Sequence, residues 1–170
     1  MKTISKRINE AAESNIIDAM KNALKEEFNA WYEYLIVKEW LAGQDRKEIE
    51  EFFEEAAKDE LEDHAYWLMK RINQLGGDVE DIAISAGTWD SAKHKREIAK
   101  CSKVIDGKQV NIINALQANI LNEEGAIETY EELVEMTEGI DPASNSKLKE
   151  ILADEQEHLQ ELKDFLNDIQ

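Results

Sequence analysis

Apolar residues recur every three or four positions along most of the chain, the periodicity of amphipathic helices, and four long helical patterns emerge. The first runs from about Ser14 to Leu41, with Ile17, Met20, Leu24, Trp31, Tyr34 and Leu41 on one stripe, and Gly43 ends it. The second starts near Asp45 and runs to Leu75, with Ile49, Phe53, Ala56, Trp67, Leu68 and Leu75 inward, and Gly76-Gly77 stops it. The third spans about Gln109 to Glu138, with Ile113, Leu116, Ile120, Ile127, Tyr130 and Val134 inward. Next comes Gly139-Ile140-Asp141-Pro142, where Gly139 suits a helix C-terminus, Asp141 an N-cap and Pro142 a first helical position. The fourth pattern continues to about Asp168 through Leu148, Leu152, Leu159, Leu162 and Phe165, with Ile169 just beyond.

The connections between these patterns are short, long and short. Short loops pair helices one and two, and helices three and four, as antiparallel hairpins. The long segment, about 78–108, must cross over to join them. The expectation is an all-α antiparallel four-helix bundle with one long crossover between helices two and three, as a single domain over residues 1–170. The crossover holds Gly87, Gly107 and a basic patch of Lys93, His94, Lys95, Arg96, Lys100 and Lys103. Ser91–Lys103 has the pattern of a short helix, and subunit contact is the role assigned to it.

Each apolar stripe is broken near its middle by an acid. Glu27 falls between Leu24 and Trp31, and Glu123 between Ile120 and Ile127. Glu60 and His64 fall between Ala57 and Trp67, and Glu155 and His158 between Leu152 and Leu162. A carboxylate and an imidazole three or four residues apart on a helix share one face and can hold one metal ion. Burying unpaired carboxylates costs several kcal/mol per ion. Four inward acids and two inward histidines therefore call for an internal partner, and two cations supply it. An oxygen-rich set with two imidazoles suits iron or manganese better than structural zinc. One such pair alone would read as a surface salt bridge; two pairs with a stripe-breaking Glu on each remaining helix do not.

A weak internal repeat supports the arrangement. Glu27, Ala30 and Tyr34 recur as Glu123, Ala126 and Tyr130, and the steps from Glu27 to His64 and from Glu123 to His158 are 37 and 35 positions. Tyr34 and Tyr130, two turns beyond the acids, are placed either to hydrogen-bond ligand carboxylates or to serve as ordinary core tyrosines.

The net charge of −18 argues against a nucleic-acid backbone as partner, so DNA binding through Lys2, Lys6 and Arg7 is discounted. No apolar run reaches membrane-spanning length, and no apolar segment follows the basic N-terminus, so neither a membrane span nor a signal peptide is read. The lone Cys101 forms no intrachain disulfide, and the expected compartment is the cytoplasm. His94 has no apolar context and reads as exposed.

The chain resembles the ferritin-like superfamily, bacterioferritins and Dps-like (DPSL) proteins above all. The carriers are Lys25-Glu26-Glu27-Phe28-Asn29-Ala30, Glu60 to His64 through Leu75-Gly76-Gly77, Asn122-Glu123-Glu124-Gly125-Ala126, and Ala153-Asp154-Glu155-Gln156-Glu157-His158. The resemblance implies that Glu27 and His64 hold one iron, Glu123 and His158 the other, and that Glu60 and Glu155 bridge. The bacterioferritin pattern in helix two is Glu-x-x-His, whereas Glu60 precedes His64 by four residues. That longer spacing looks like the DPSL branch, and a π-bulge would adjust the geometry. DPSL proteins carry two cysteines near the site; Gly125 stands where one would fall. Leu61 replaces the haem-binding methionine of bacterioferritins, so no haem is expected. Twelve residues follow His158, leaving no room for a fifth helix, and the resemblance then favours a homo-oligomeric dodecamer over a 24-mer.

The implied function is that of an iron-oxidising cage protein. Its six-residue ferroxidase site would oxidise Fe(II) with H2O2 or O2 and store Fe(III) mineral, protecting against oxidative stress. The alternative is a di-iron or di-manganese peroxidase or catalase without mineral storage. A third, of another class, is a non-catalytic helical assembly module whose buried acids are merely hydrogen-bonded.

Overall fold

The structure, a computed structural model, describes residues 4–41, 47–80, 82 and 112–169. Their elements are α1 (Ile4–Leu41), α2 (Lys47–Asp59), a π-helical segment (Glu60–Ala65), α3 (Tyr66–Gln74), α4 (Ile112–Thr137) and α5 (Pro142–Ile169). Because α2, the π segment and α3 follow one another without interruption, they form one long helix with a local widening, and the whole is the expected four-helix bundle. No strand occurs among the described residues.

α1 starts at Ile4, well before the expected Ser14. Residues 4–13 contain no glycine or proline, so nothing stops the helix from extending backwards. The second hairpin partner ends in a turn where Gly76 has φ 85°. Its neighbour Gly77 is needed for a different reason: a Cβ there would lie 2.7 Å from methyl groups of Ile17 and Ile72. The chain then turns at Asp78, whose Oδ1 accepts the Glu80 amide at 2.9 Å, and it becomes helical again at Glu80. Apart from Ile82, which is buried in the core, the rest of the crossover lies outside the described residues, including the basic patch, the expected Ser91–Lys103 helix, His94 and Cys101. So do Gly43, Asp45, Gln109, Lys2 and the side chains of Lys6, Arg7 and Leu41.

The α4–α5 turn follows the expectation. Gly139 has φ 69°, and Pro142 opens α5. Asp141 caps the helix by accepting the Ser144 amide at 3.2 Å. Arg71 of α3 donates to Asp141 at 2.6 Å and to Ser144 at 2.7 Å, tying this turn to the other hairpin.

The apolar core falls into two clusters. One gathers Tyr34, Val37, Phe52, Phe53, Leu116 and Leu162 among others; the second gathers Met20, Leu24, Leu68, Ile72, Leu133 and Ile151 among others. Each fully buried Leu, Ile or Phe contributes about 1.5–3 kcal/mol. Between the clusters every long helix places charged side chains instead. The stripes sit slightly rotated from the expected ones: Ile17, Trp31, Trp67, Ile113, Ile120, Ile127 and Val134 are only half-buried. In α1 the buried line is Ile16, Met20, Ala23, Glu27, Tyr34 and Val37, and in α4 it is Ala115, Leu116, Asn119, Glu123, Tyr130 and Leu133. The half-buried residues flank these lines, at the edge of the buried arc.

Candidate metal centre

The structure brings all six expected residues together. Glu27 lies on α1, Glu60 and His64 on the π segment, Glu123 on α4, and Glu155 and His158 on α5. All six are buried, with Glu60 only 1% exposed and His158, the most accessible, 8%. They form two overlapping groups, Glu27–Glu60–His64–Glu155 and Glu60–Glu123–Glu155–His158, each with ligand atoms within 4.8 Å of one another. Glu60 and Glu155 belong to both groups. One terminal carboxylate, one imidazole and two shared carboxylates per position is the donor set for two adjacent cations.

The π segment explains the longer step on helix two. An α-helix that takes up one extra residue widens into an i→i+5 turn and continues in phase. Glu60 and His64 thereby stay on the inner face, with His64 Nδ1 3.1 Å from Glu60 Oε2. On α5 the three-residue step needs no widening, and His158 Nδ1 is 3.8 Å from Glu155 Oε2.

Both rings present Nδ1 to the carboxylates. His64 Nδ1 lies 3.4 Å from Glu27 and 3.2 Å from Glu155, and His158 Nδ1 lies 3.5 Å from Glu60. Their Nε2 atoms face outward to aspartates: His64 to Asp154 at 3.5 Å, His158 to Asp59 at 3.7 Å. Sequence reasoning missed this pair of aspartates. The available signal was the repeated Asp-Glu dipeptide, Asp59-Glu60 and Asp154-Glu155. His64 Nε2 is buried without a hydrogen bond, so at these separations the aspartates face the rings as charge partners and Nδ1 remains the nitrogen turned to the carboxylates.

The two tyrosines differ. Tyr130 donates to Glu27 Oε1, whereas the Tyr34 hydroxyl is buried with no hydrogen bond and packs against Phe52 and Phe53. A further acid, Glu33, was not anticipated; it is 2% exposed and accepts a hydrogen bond from Asn122 Nδ2. Ala30, Glu33 and Val37 share the helical spacing of a buried stripe, and that was the signal for it.

The electrostatics are those of closely spaced buried acids and imidazoles. Burial, then the neighbouring Glu60, pushes the Glu27 carboxyl well up; burial, then Glu155, does the same to Glu123. Burial also works against charge on Glu60, but the adjoining Glu27 carboxyl and the His158 and His64 rings outweigh it and hold Glu60 below the usual carboxylate range. Burial disfavours imidazolium at His64 and His158, yet the surrounding carboxylates raise both well above the ordinary histidine range. These shifts favour protons on Glu27, Glu123 and both rings.

One carboxylate oxygen from each of Glu27, Glu60, Glu123 and Glu155 is buried without a hydrogen bond, as is His158 Nδ1. Buried polar atoms in this condition cost free energy, and cations within the cluster would satisfy all five. The donor set, carboxylate-rich with two imidazoles, fits iron or manganese.

The chain is similar to known proteins. The sequence profile of the ferritin-like domain family matches residues 17–170. A DNA protection during starvation protein of Pyrococcus furiosus is 28% identical over 146 residues, covering 84% of this chain and 72% of the relative. Among solved structures, a dodecameric thioferritin, the bacterioferritin-related protein of Bacteroides fragilis, superposes with a TM-score of 0.74 at 28% identity. That match covers 97% of this chain and 93% of the other. A ferritin-like, diiron-carboxylate protein of Bacillus anthracis shares the fold, with a TM-score of 0.70 at 24% identity over 91% of this chain and 97% of that one.

Proposed function

The chain belongs to the ferritin-like domain family, and we propose that it is an iron-oxidising cage protein whose substrate is Fe(II). The carrying observation is the pair of overlapping four-residue groups that share Glu60 and Glu155. In this reading Glu27 and His64 hold one Fe(II), Glu123 and His158 the other, and Glu60 and Glu155 contact both. Carboxylates are hard anionic donors and favour the trivalent ion, which lowers the cost of losing an electron. Each H2O2 accepts two electrons, one from each Fe(II); O2 is the other oxidant considered. Fe(III) then passes to the interior of a homo-oligomeric cage and is stored as mineral, which withdraws iron and oxidant from damaging side reactions. The thioferritin neighbour, described as dodecameric, supports a twelve-subunit cage. The acidic composition, with a net charge of −18, assists in gathering cations.

The protein's own groups prepare the site. Asp154 and Asp59 orient the two imidazoles with Nδ1 inward, and Tyr130 fixes the terminal carboxylate Glu27. The apolar clusters on either side exclude bulk water from the carboxylates.

Anaerobic Fe(II) titration, followed by H2O2 or O2, tests the proposal. It expects two irons per chain, rapid oxidation, and iron retained as mineral after desalting. Rapid oxidation with no retained iron would favour a di-iron or di-manganese peroxidase or catalase instead. Substoichiometric iron would favour the non-catalytic assembly module. An unchanged oxidation rate in Glu123→Ala would show that the site is misassigned.

A further inference from the structure

A cavity of about 130 Å³ lies between α1 and α4. The carboxylates Glu27, Glu60, Glu123 and Glu155 line it, so it opens directly onto the proposed centre. Towards the exterior it is lined by exposed Glu26, Leu121 and Gly125. Glu33 and Asn122 line it as well. Among the described residues, no lysine or arginine lines this cavity.

Glu33 and Asn122 form an unusual wall. A buried side chain at this spacing would ordinarily be apolar, and a carboxyl there carries a desolvation cost. The amide of Asn122 offsets part of it by donating to Glu33 Oε2. The Asn122 Oδ1 is buried with no hydrogen bond, as are the inward oxygens of Glu27 and Glu123 in the same cavity. The wall thus offers a buried carboxyl and a free amide oxygen, both hard donors, beside the buried carboxylates of the centre. Hard oxygen donors without a positive side chain suit a divalent cation.

We propose that this cavity is the passage by which a divalent metal cation reaches the two-metal centre, and that Glu33 and Asn122 Oδ1 bind it on the way. The inference rests on the proposed function, since it takes the six-residue cluster as the destination. Gly125 keeps the passage open. A Cβ built there meets no atom within 4 Å, so a larger side chain at this position fits the fold and narrows the opening.

The test is stopped-flow uptake of Co(II), followed by its visible absorbance, in the assembled wild-type protein and in Glu33→Gln, Glu33→Asp and Gly125→Leu. All four chains should bind two Co(II) at equilibrium. Glu33→Gln, which has no carboxyl to ionise against an arriving cation, and Gly125→Leu, which narrows the opening, should load about tenfold more slowly, the lower end of what an acid-lined entrance contributes. Glu33→Asp, which keeps an ionisable carboxyl, should recover most of the rate, and a merely structural role for Glu33 would not produce that recovery. Wild-type loading rates in Glu33→Gln or in Gly125→Leu would overturn the passage while leaving the centre intact. A wild-type protein that binds no Co(II) would overturn the centre and the passage together.

Discussion

Tyr130 on α4 donates its phenolic hydrogen bond to Glu27 on α1, joining the two hairpins at the carboxylate–histidine cluster. Its counterpart Tyr34 is equally buried and makes no such bond. The two positions are related by the internal repeat, so their stability costs provide a direct comparison. Tyr130→Phe strips a buried carboxyl oxygen of its donor and should destabilise the metal-free protein by about 1–3 kcal/mol. Tyr34→Phe removes an unsatisfied hydroxyl and should be neutral or slightly stabilising. Urea denaturation of both variants measures the difference; equal costs would show that the Tyr130 bond contributes nothing.

The π segment absorbs one residue. Deleting the exposed Glu62 should therefore relax Glu60–Ala65 into a regular α-helix, with helix phase kept on both sides and a three-residue step to the histidine. The shortened chain is expected to fold and to bind two metals. Deleting the exposed Glu55, within α2, has no bulge to draw on. It rotates Phe52 and Phe53 by about 100° relative to Glu60. That variant should lose most of its thermal stability. Far-UV circular dichroism with Co(II) titration distinguishes the two, and equal damage from both deletions would contradict the bulge argument.

Protons and metal ions compete for the same buried groups. Glu27, Glu123, His64 and His158 are all shifted towards holding a proton. A bound cation must displace protons from these sites, so apparent metal affinity should rise with pH, and binding should acidify a weakly buffered solution. Calorimetry in buffers of different ionisation enthalpy counts the protons released. Affinity that is flat between pH 6 and 8 would contradict the shifts described for the cluster.

Glu33 carries the opposite pH signature to a salt-bridged acid. Burial, partly offset by Asn122, raises its carboxyl from an ordinary 4.5 to about 8. Between those values the folded chain holds a proton that the unfolded chain has released, so this group costs stability as pH rises. Below pH 4.5 the cost vanishes. Glu33→Gln mimics the protonated form and should gain on the wild type by about 1–3 kcal/mol on going from pH 5 to pH 8. Paired denaturation curves at the two values measure it, and a gap that narrows with pH would contradict the assignment.

The chain reads as a bundle because its helices are long and their stripes carry most of the core. The six cluster residues were legible for the same reason, since an acid at Glu27 or Glu123 interrupts a run of apolar positions. Asp59 and Asp154 were hidden because they are partly exposed and look like ordinary surface acids until the rings they face are located. Glu33 is hidden by its neighbour: periodicity makes Tyr34 the inward residue, and only the packing of α1 against α4 shows that both are buried. The half-buried Ile113, Ile120 and Ile127 mark the same limit. Periodicity finds a face, but the width of that face depends on what packs across it.

The aspartates cross between hairpins. Asp154 belongs to the hairpin that carries His158 yet faces His64, and Asp59 does the reverse. A single hairpin therefore contains every kind of group the centre needs but cannot complete its own histidine. Two identical copies of one hairpin, facing each other across a two-fold axis, could complete both. The crossing makes each imidazole depend on an aspartate of the opposite hairpin, so neither half of the chain holds a complete histidine site without the other.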